Sequence, residues 1–449
     1  MKEGSLEAPV RHPLDWQSES FVDLEALDAE VRRVFDICHG CRRCFNLCDS
    51  FPRLFDLVDA SPSGELDAVA SADFKPVVDA CTLCDMCFMT KCPYVPPHEF
   101  NLDFPHLMLR YRVAERHHGL RPGIGERQLT ETDRNGRLAG LAVPIANWAS
   151  RRDNTLTRPI LNGIAHVHRD VELPKFHSPA FEARSHEVPE RNTAAPAAQR
   201  KAVLYATCFV NFNNPGIGEA ARGVLARNGV TTEVVYPECC GMPQLEGGEI
   251  DVVAAKARRV AATLRLWIDQ GYDVVALTPS CALMLKFEWP LIVPDDGNIK
   301  VLASATRDVT EYLVDIARKE GLAPGLKPLG GGVAVHLACH ARAQNMGPKA
   351  AELLKLIPES AVTIVERCSG HGGSWGIKDQ NFPIAVKNGR PAAQRAIDAG
   401  ATYVSSECPL AGKHLVQVIE TIDPAKRLDR SFHPVELFAK AYGLAVEGD

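Results

Sequence analysis

The sequence predicts an α+β protein in which an α-helical, cysteine-rich N-terminal module precedes two α/β repeats with mainly parallel sheets. Eight of the 15 cysteines lie in two runs near the N-terminus. Short β-branched segments alternate with longer helical patterns from Lys201 onward. The cysteines of that second part recur after about 130 residues, as expected of a duplicated domain. The predicted regions are therefore 1–118, 119–200, 201–330 and 331–449.

The composition is that of a globular protein, with 46% hydrophobic and 24% charged residues. The net charge of −6 argues against nucleic-acid binding, because no positive field is available to meet phosphates. No apolar run reaches the ~18 residues of a spanning helix, and residues 1–16 lack the apolar segment of a signal peptide. We therefore expect a cytoplasmic protein, where grouped reduced cysteines act as metal ligands and not as disulfides.

The N-terminal module contains two runs of four cysteines. The first run has gaps of two, two and three residues, and the second has gaps of two, two and four and then a proline. In order, these cysteines are Cys38, Cys41, Cys44, Cys48, Cys81, Cys84, Cys87 and Cys92. Apolar residues at helical spacing predict helices over 24–37 and 104–115, on either side of the runs.

This spacing is typical of bacterial ferredoxins, in which the fourth cysteine of each run binds the cluster of the other run. We therefore expect two [4Fe–4S] clusters. One is expected on Cys38, Cys41, Cys44 and Cys92, and the other on Cys81, Cys84, Cys87 and Cys48. The departures from the pattern are Asp49 in place of a proline after Cys48 and one extra residue before Cys92. A pair of zinc sites is the alternative interpretation, because paired C-x-x-C units also bind zinc.

Region 119–200 is predicted to be a helical connector that ends in a linker. Short helical patterns there alternate with proline and polar runs. The stretch 187–200 (EVPERNTAAPAAQR) has linker composition and predicts the boundary before the repeats.

Six β-branched segments are the predicted strands of the repeats. They are 202–206, 232–236, 273–277, 333–337, 362–365 and 402–405. The predicted helices between them include 216–228, 249–270, 349–356 and 391–399. Alternation of this kind predicts a mainly parallel sheet with helices on both faces.

The remaining seven cysteines follow these strands. Cys208 and Cys339 come after the first strand of each repeat, 131 residues apart, and Cys239 and Cys368 come after the second, 129 residues apart. Because open α/β sheets place their sites at the carboxyl ends of the strands, we expect the thiols of each repeat to converge there. The full set is Cys208, Cys239, Cys240 and Cys281 in the first repeat and Cys339, Cys368 and Cys408 in the second.

The repeats resemble the paired CCG domains of a known family. The resemblance is carried by CCG at 239–241, CSG at 368–370, ATCFVN at 206–211, CGMP at 240–243, TPSC at 278–281 and HLACH at 336–340. Such domains occur in the B subunit of heterodisulfide reductases and in the iron–sulfur subunit of glycolate oxidase. They also occur in the C subunit of anaerobic glycerol-3-phosphate dehydrogenase, where a ferredoxin module likewise precedes two CCG domains. The resemblance covers most of residues 30–443.

In the resembled family, a full CCG domain offers five cysteines and holds a noncubane [4Fe–4S] cluster that cleaves disulfides. The first repeat here has Thr278 in place of one of them, so four thiols remain. Four thiolates suffice for one cubane or one zinc ion, so a third iron–sulfur or zinc centre is expected there.

The second repeat has Ser369 and Ala411 in place of two of the five cysteines. Three thiols need a further ligand, for which the neighbouring histidines His336, His340 and His371 are the candidates. The alternative is a decayed site whose cysteines persist as small hydrophobic residues.

The resemblance implies an iron–sulfur electron-transfer subunit that takes electrons from a flavoprotein dehydrogenase subunit and passes them to a quinone or a redox protein. No G-x-G-x-x-G follows a predicted strand, so we expect any flavin to reside in a partner. Three alternatives remain. They are a heterodisulfide reductase-like catalytic subunit, a docking scaffold in the C-terminal half, and a peroxide-defence electron carrier linked to a rubrerythrin-type di-iron protein.

A quinone acceptor would require peripheral attachment to the inner face of the membrane. Segment 104–112 (FPHLMLRYR) is both apolar and basic, as expected of a helix that lies on a membrane. The alternative interpretation is a core helix that packs on the clusters.

Overall fold

The computed structural model describes residues 4–5, 7–121, 123–426 and 428–445, so the predicted region limits at 1 and 449 lie outside the described residues. The N-terminal part is α-helical. Its helices are α1 (Glu19–Val22), α2 (Leu24–Cys41), α3 (Ser50–Asp59), α4 (Lys75–Asp79) and α5 (Phe104–His117). Short 3₁₀ turns cover Leu66–Ala68 and Ser71–Phe74, and a π-helical turn covers Cys87–Lys91.

Aromatic side chains in tilted and edge-to-face contact form the core of this module. The ring centroids of Phe51 and Phe104 lie 4.7 Å apart, and those of Phe35 and Phe74 lie 5.3 Å apart. Buried aromatic pairs stabilise a small core beyond the area that they bury. The cysteines of both runs pack against this core, so the thiols are held by a rigid scaffold.

The connector contains five short helices. They are α6 (Ile124–Thr130), α7 (Thr132–Gly140), α8 (Val143–Ser150), α9 (Thr157–Ala165) and α10 (Phe181–Arg184). Between Arg184 and Lys201 the described residues form turns and extended chain, as the linker composition predicted.

The first repeat is built on a parallel sheet of four strands in the order β2-β1-β3-β4. The strands are β1 (Lys201–Tyr205), β2 (Thr231–Val235), β3 (Asp273–Ala276) and β4 (Thr306–Asp308). The helices are α11 (Cys208–Phe212), α12 (Pro215–Arg227), α13 (Met242–Glu246), α14 (Ile250–Ile268), α15 (Pro279–Leu283), α16 (Trp289–Ile292), α17 (Gly297–Ala305) and α18 (Val309–Lys319), with a π-helical turn at Met284–Glu288.

The second repeat has the same central order in a parallel sheet of three strands, β6-β5-β7. The strands are β5 (Val333–His336), β6 (Val362–Val365) and β7 (Tyr403–Ser406). The helices are α19 (Cys339–Ala343), α20 (Lys349–Lys355), α21 (Phe382–Asp398), α22 (Pro409–Ile422) and α23 (Pro434–Ala441). In both sheets the first strand of the repeat lies in the middle, between the second and the third.

The predicted fold class is confirmed: a helical N-terminal region with cysteines precedes two α/β repeats with parallel sheets. Each predicted strand lies within one residue of the observed one at either end. The prediction of a helix beginning at residue 391 is wrong, because α21 begins at Phe382 and contains Pro391 in its interior. A proline inside a helix removes one backbone hydrogen bond. Burial of Ala392 and Ala396 against the sheet offsets that cost.

Helix α5 is a core helix. Leu107, Met108 and Leu109 are buried, with Met108 and Leu109 fully inaccessible. The hypothesis that segment 104–112 lies on a membrane is therefore wrong, because its apolar face is already used against the N-terminal core. In the described part of the chain, we find no helix with the length and apolar character needed to cross a bilayer.

Candidate metal centres

All 15 cysteines are free thiols, and the fold gathers them into four groups. We name these the first N-terminal group (Cys38, Cys41, Cys44, Cys92), the second N-terminal group (Cys48, Cys81, Cys84, Cys87), the first-repeat group (Cys208, Cys239, Cys240, Cys281) and the second-repeat group (Cys339, Cys368, Cys408).

In the first N-terminal group, the last cysteine of the second run joins three cysteines of the first run. Burial raises the pKa of the Cys38 thiol, and the charges of Cys92, Cys44 and Cys41 raise it further. The pKa of Cys44 is likewise raised to about 12, first by burial and next by the charge of Cys92. Such interactions between thiols require short distances, so Cys92 belongs spatially to the first run.

The second N-terminal group is formed in the reciprocal way. Burial raises the pKa of Cys48, and the neighbouring charges that add to this are those of Cys84 and Cys81. Cys87 in turn interacts with Cys84, Cys81, Cys48 and, more weakly, with Cys44 of the other group. The structure therefore places Cys48 near the second run, as it places Cys92 near the first, and the two groups lie side by side. Cluster binding by these two sets stays a prediction.

Local backbone geometry aims the thiols of the second run inward. Leu83 and Asp85 flank Cys84 and take left-handed conformations, with φ of 47° and 62°. The extra residue before Cys92 is absorbed by the π-helical turn, because Cys92 N donates to Cys87 O, five residues earlier, at 2.9 Å. The predicted departure from the ferredoxin spacing therefore changes the turn without moving Cys92 out of its group.

Backbone amides near the cysteines point at the sulfurs. N–H groups of Ser50 and Phe51 donate to the Cys48 sulfur, and that of Met86 donates to the Cys84 sulfur. Each such bond favours the thiolate over the thiol. Hydrogen bonds to cysteine sulfurs are also one of the means by which proteins adjust iron–sulfur clusters.

A buried ion network fixes the loop of the second N-terminal group. The Arg11 guanidinium donates to Asp85 at 2.7 Å, to Asp103 at 2.8 Å and to Glu288 at 3.0 Å. His106 contacts the same Glu288 at 3.0 Å. Because Glu288 belongs to the first repeat, one arginine joins the N-terminal segment, the cysteine loop and the repeat. No local sequence pattern indicated this network.

The first-repeat group is compact. The Sγ atoms of Cys208 and Cys239 lie 3.7 Å apart, and those of Cys240 and Cys281 lie 3.3 Å apart. Cys239 and Cys240 directly precede Gly241, whose φ of 85° turns the chain into α13. Hydrogen bonding with Cys208 and Cys240 lowers the pKa of Cys239, and the nearby Lys256 ammonium lowers it as well.

The connector supplies a carboxylate to this group. Asp133, on α7, accepts a hydrogen bond from Cys239 N at 3.0 Å and another from the Tyr236 hydroxyl. The Lys256 ammonium lies 3.6 Å from the same carboxylate, and Trp289 Nε1 donates to Cys240 O at 3.1 Å. No sequence signal indicated Asp133, because it lies about a hundred residues before Cys239 and in no recognisable motif.

The second-repeat group meets the N-terminal module. Burial raises the pKa of Cys339, and the charges that add to this are those of Cys84, Cys368 and Cys408. Cys368 is exposed, whereas all thiols of the first-repeat group are buried or half-buried. Gly370 N donates to Cys368 Sγ at 3.3 Å. The three thiols thus converge as predicted, and they do so beside an N-terminal cysteine.

Two of the three candidate histidines make protein hydrogen bonds with both ring nitrogens. His336 contacts Ser406 Oγ at 2.9 Å and Arg367 O at 3.1 Å. His340 contacts Ser280 Oγ at 2.8 Å and Leu83 O at 3.3 Å. Such rings act as structural hydrogen-bonding groups. His371 differs, because its Nε2 is buried without a partner among the described residues.

The four groups form a continuous series. Cys44 and Cys87 connect the two N-terminal groups. The charge of Cys368 raises the pKa of Cys84, and the charge of Cys84 raises the pKa of Cys339, so the second N-terminal group adjoins the second-repeat group. The charge of Cys281 raises the pKa of Cys408, so the second-repeat group adjoins the first-repeat group. The sequence predicted the separate groups, whereas the order of the series depends on how the module docks on the repeats.

Among the described residues, no group of three or more His, Cys, Asp or Glu side chains is positioned to share one metal ion. A [4Fe–4S] cube spreads its four thiolates over four irons, so its cysteines stand further apart than the ligands of one ion. The N-terminal groups fit such a cube in number of thiols, burial and amide donors.

Comparison with known proteins identifies relatives that match most of the chain. The cysteine-rich domain family (CCG) matches residues 202–286 and 333–415. The C subunit of anaerobic glycerol-3-phosphate dehydrogenase from Escherichia coli strain K12 is 27% identical over 337 residues, which cover 74% of this chain and 80% of the relative. These matches confirm the resemblance predicted from the cysteine motifs.

Two further relatives match shorter parts. Lactate utilization protein A of Bacillus cytotoxicus is 27% identical over 221 residues, 46% of this chain and 87% of the relative. An uncharacterized iron–sulfur protein of Methanocaldococcus jannaschii is 28% identical over 255 residues, 55% of this chain and 48% of the relative. The chain therefore contains two CCG cysteine-rich domains and is a relative of the C subunit of anaerobic glycerol-3-phosphate dehydrogenase.

Proposed function

We propose that this chain is the iron–sulfur electron-transfer subunit of a dehydrogenase. The observation that carries the proposal is the crossed grouping of the eight N-terminal thiols, in which Cys92 joins the first run and Cys48 joins the second. The names of the relatives support it, since they include a dehydrogenase subunit and an iron–sulfur protein.

The first N-terminal group would hold one [4Fe–4S] cluster, and the second N-terminal group would hold another. A cluster of this kind accepts and releases single electrons. The chain's own part is to bury the thiols, to donate amide hydrogen bonds to their sulfurs and to hold the two groups side by side. The first-repeat group, with four thiols, would hold a third iron–sulfur centre. The alternative of one zinc ion is the weaker one, because no three side chains of the described residues are positioned to share a single ion. The three thiols of the second-repeat group are the weaker candidate.

We propose a flavoprotein dehydrogenase subunit as the electron donor, and a quinone or a redox protein as the acceptor. The chain would work in the cytoplasm or on the inner membrane face. The division into regions 1–118, 119–200, 201–330 and 331–449 belongs to the proposal, and the two matched segments lie within its last two regions. A rubrerythrin-type di-iron partner has no support in the structure or among the relatives. Neither repeat contains the complete five-cysteine site that a heterodisulfide reductase-like activity would need.

The decisive experiment measures iron, acid-labile sulfide and the EPR spectrum of the dithionite-reduced chain after anaerobic purification. We expect about eight irons for the N-terminal pair, with the broadened signal of two neighbouring clusters. Cys38→Ser and Cys92→Ser should alter the same signal, and Cys48→Ser should alter the other. Cys281→Ser, in the first-repeat group, serves as the control that leaves both N-terminal signals intact. Near-zero iron, or Cys92→Ser acting on the Cys48 signal, would refute the proposal.

A further inference from the structure

The connector exposes an unusual amount of apolar surface. Nine of the sixteen exposed large hydrophobic side chains among the described residues lie between residues 120 and 164. They are Leu120, Ile124, Leu138, Leu141, Ile145, Trp148, Leu156, Ile160 and Ile164. Single exposed hydrophobic residues need no explanation, whereas a concentration of this kind marks an interaction surface. We name these nine residues the connector face.

The connector face follows helical periodicity. Leu156, directly before α9, and Ile160 and Ile164 on the helix recur every four residues and are exposed, while Arg158 and Ala165 of α9 are buried. In α8, Ile145 and Trp148 are likewise three residues apart and exposed. Helix α9 is therefore amphipathic, with one side against the protein and the apolar side in solvent, whereas α8 has no buried residue.

These helices are neighbours in space. The Asn154 side chain donates to Trp148 O at 2.9 Å and accepts from Leu156 N at 3.0 Å, which holds the end of α8 against the start of α9. Gly125 packs directly on α9, since a Cβ atom there would lie 1.8 Å from Ile164 O. Helices α6 and α8 therefore both pack beside α9, so their exposed apolar residues lie on one cluster of neighbouring helices.

The charges around the connector face are mostly positive. Between residues 120 and 170 the exposed charged side chains within the described part are seven arginines and two acids, Asp153 and Asp170. The arginines are Arg121, Arg127, Arg134, Arg137, Arg151, Arg152 and Arg169. The whole chain, in contrast, carries a net charge of −6. A basic, apolar surface on an acidic protein is complementary to an anionic partner.

We propose that the connector face docks on an anionic lipid bilayer. Its aliphatic side chains protrude, with Leu141 84% and Ile124 81% exposed, and a half-exposed Trp148 lies among them. Protruding aliphatic residues, an interfacial tryptophan and surrounding arginines are the features of helices that lie in the headgroup region. An acidic protein partner is the other possible occupant, and the experiment below separates the two.

This inference deepens the proposed function, on which its role in electron transfer rests. The face and the first-repeat group share helix α7, because Asp133 contacts Cys239 N while Leu138 on the same helix is exposed. Docking would therefore bring the last thiol group of the series to the membrane surface, where a lipid-soluble acceptor such as a quinone is available.

Vesicle flotation of the full anaerobic chain tests the proposal. We expect flotation with phosphatidylcholine vesicles that contain about 30% phosphatidylglycerol, weaker flotation with phosphatidylcholine alone, and release at high salt. Leu141→Glu with Ile145→Glu should reduce vesicle binding by about tenfold or more. Leu266→Glu is the matched control, because Leu266 is 64% exposed on α14, outside the connector, and should leave binding unchanged.

Three results would overturn the inference. They are absent flotation on anionic vesicles, equal flotation of the double variant, and a double variant that still floats but no longer binds its dehydrogenase partner. The last would show that a protein covers the face. Iron content and the EPR spectrum of the same samples report on the proposed function separately, since neither substitution touches a thiol group.

Discussion

The two repeats share one fold and differ in their thiol sites. Both place the first strand between the second and the third in a parallel sheet, and both set cysteines at the strand ends. The first-repeat group has four thiols in two close pairs, supported by Asp133 and Lys256. The second-repeat group has three, and Cys368 is exposed.

This difference shows that the scaffold does not depend on a full set of ligands. Buried strands and helices hold each repeat together, and Ser369 and Ala411 stand in buried positions without disturbing the sheet. A fold and the site that it carries are separable. The second-repeat thiols lie between Cys84 of the N-terminal module and Cys281 of the first repeat, so this repeat contributes placement as much as chemistry.

The largest expected difference concerns metal content. Cys239 and Cys368 occupy equivalent positions after the second strand of each repeat. Cys239→Ser should abolish the first-repeat centre, because it leaves only three thiols there, whereas Cys368→Ser should leave that centre in place. Iron and zinc analysis with EPR of anaerobic samples checks this. Equal losses in the two variants would contradict the asymmetry between the repeats.

A second difference concerns the glycines of the two loops. Gly370 has φ of 81°, and a Cβ atom there would lie 1.9 Å from the backbone oxygen of Ala385. Gly241 has φ of 85°, but its Cβ would meet only the Val253 side chain at 3.2 Å. Gly370→Ala should therefore destabilise the fold by about 3 kcal/mol or more, and Gly241→Ala by about 1–2 kcal/mol. Urea unfolding of both variants measures the two costs, and the reverse order would show that the loop of the second repeat is loosely packed.

The smallest expected effect concerns the contact between the repeats. Glu246, on α13 of the first repeat, accepts a backbone hydrogen bond from Ser374 of the second, and burial raises its pKa to about 7. The folded state therefore holds this proton more tightly than the unfolded chain. The stabilisation is full below about pH 4.5 and is lost as the pH rises through about 7, a change of at most about 3 kcal/mol.

Glu246→Gln should flatten the dependence of unfolding free energy on pH over that interval and should stabilise the fold at neutral pH. Glu233→Gln, at an exposed position of β2, is the matched control. Thermal unfolding across the interval provides the measurement. An unchanged pH profile in the Glu246 variant would mean that the carboxyl is hydrated in the folded protein.

Much of the fold and of the site followed from local pattern. Strand β6 was predicted at its observed bounds, because a β-branched run between turns has few other structures open to it. The proximity of Cys92 to the first run and of Cys48 to the second agrees with the ferredoxin pattern, in which the fourth cysteine of each run belongs to the other set. The start of helix α21 was mispredicted, because a proline at 391 locally favours the beginning of a helix over its interior. Burial of the neighbouring alanines stabilises the longer helix.

The sequence by itself determined which residues are thiols, how they divide into runs and repeats, and which strands carry them, because each of these depends on spacing along the chain. Only the tertiary structure decided that Arg11 joins the cysteine loop to the first repeat, that Asp133 supports Cys239, and that Cys84 meets the second-repeat group. These contacts join residues that lie far apart in the chain, and their geometry is set by how whole helices and sheets pack. No local pattern encodes that packing.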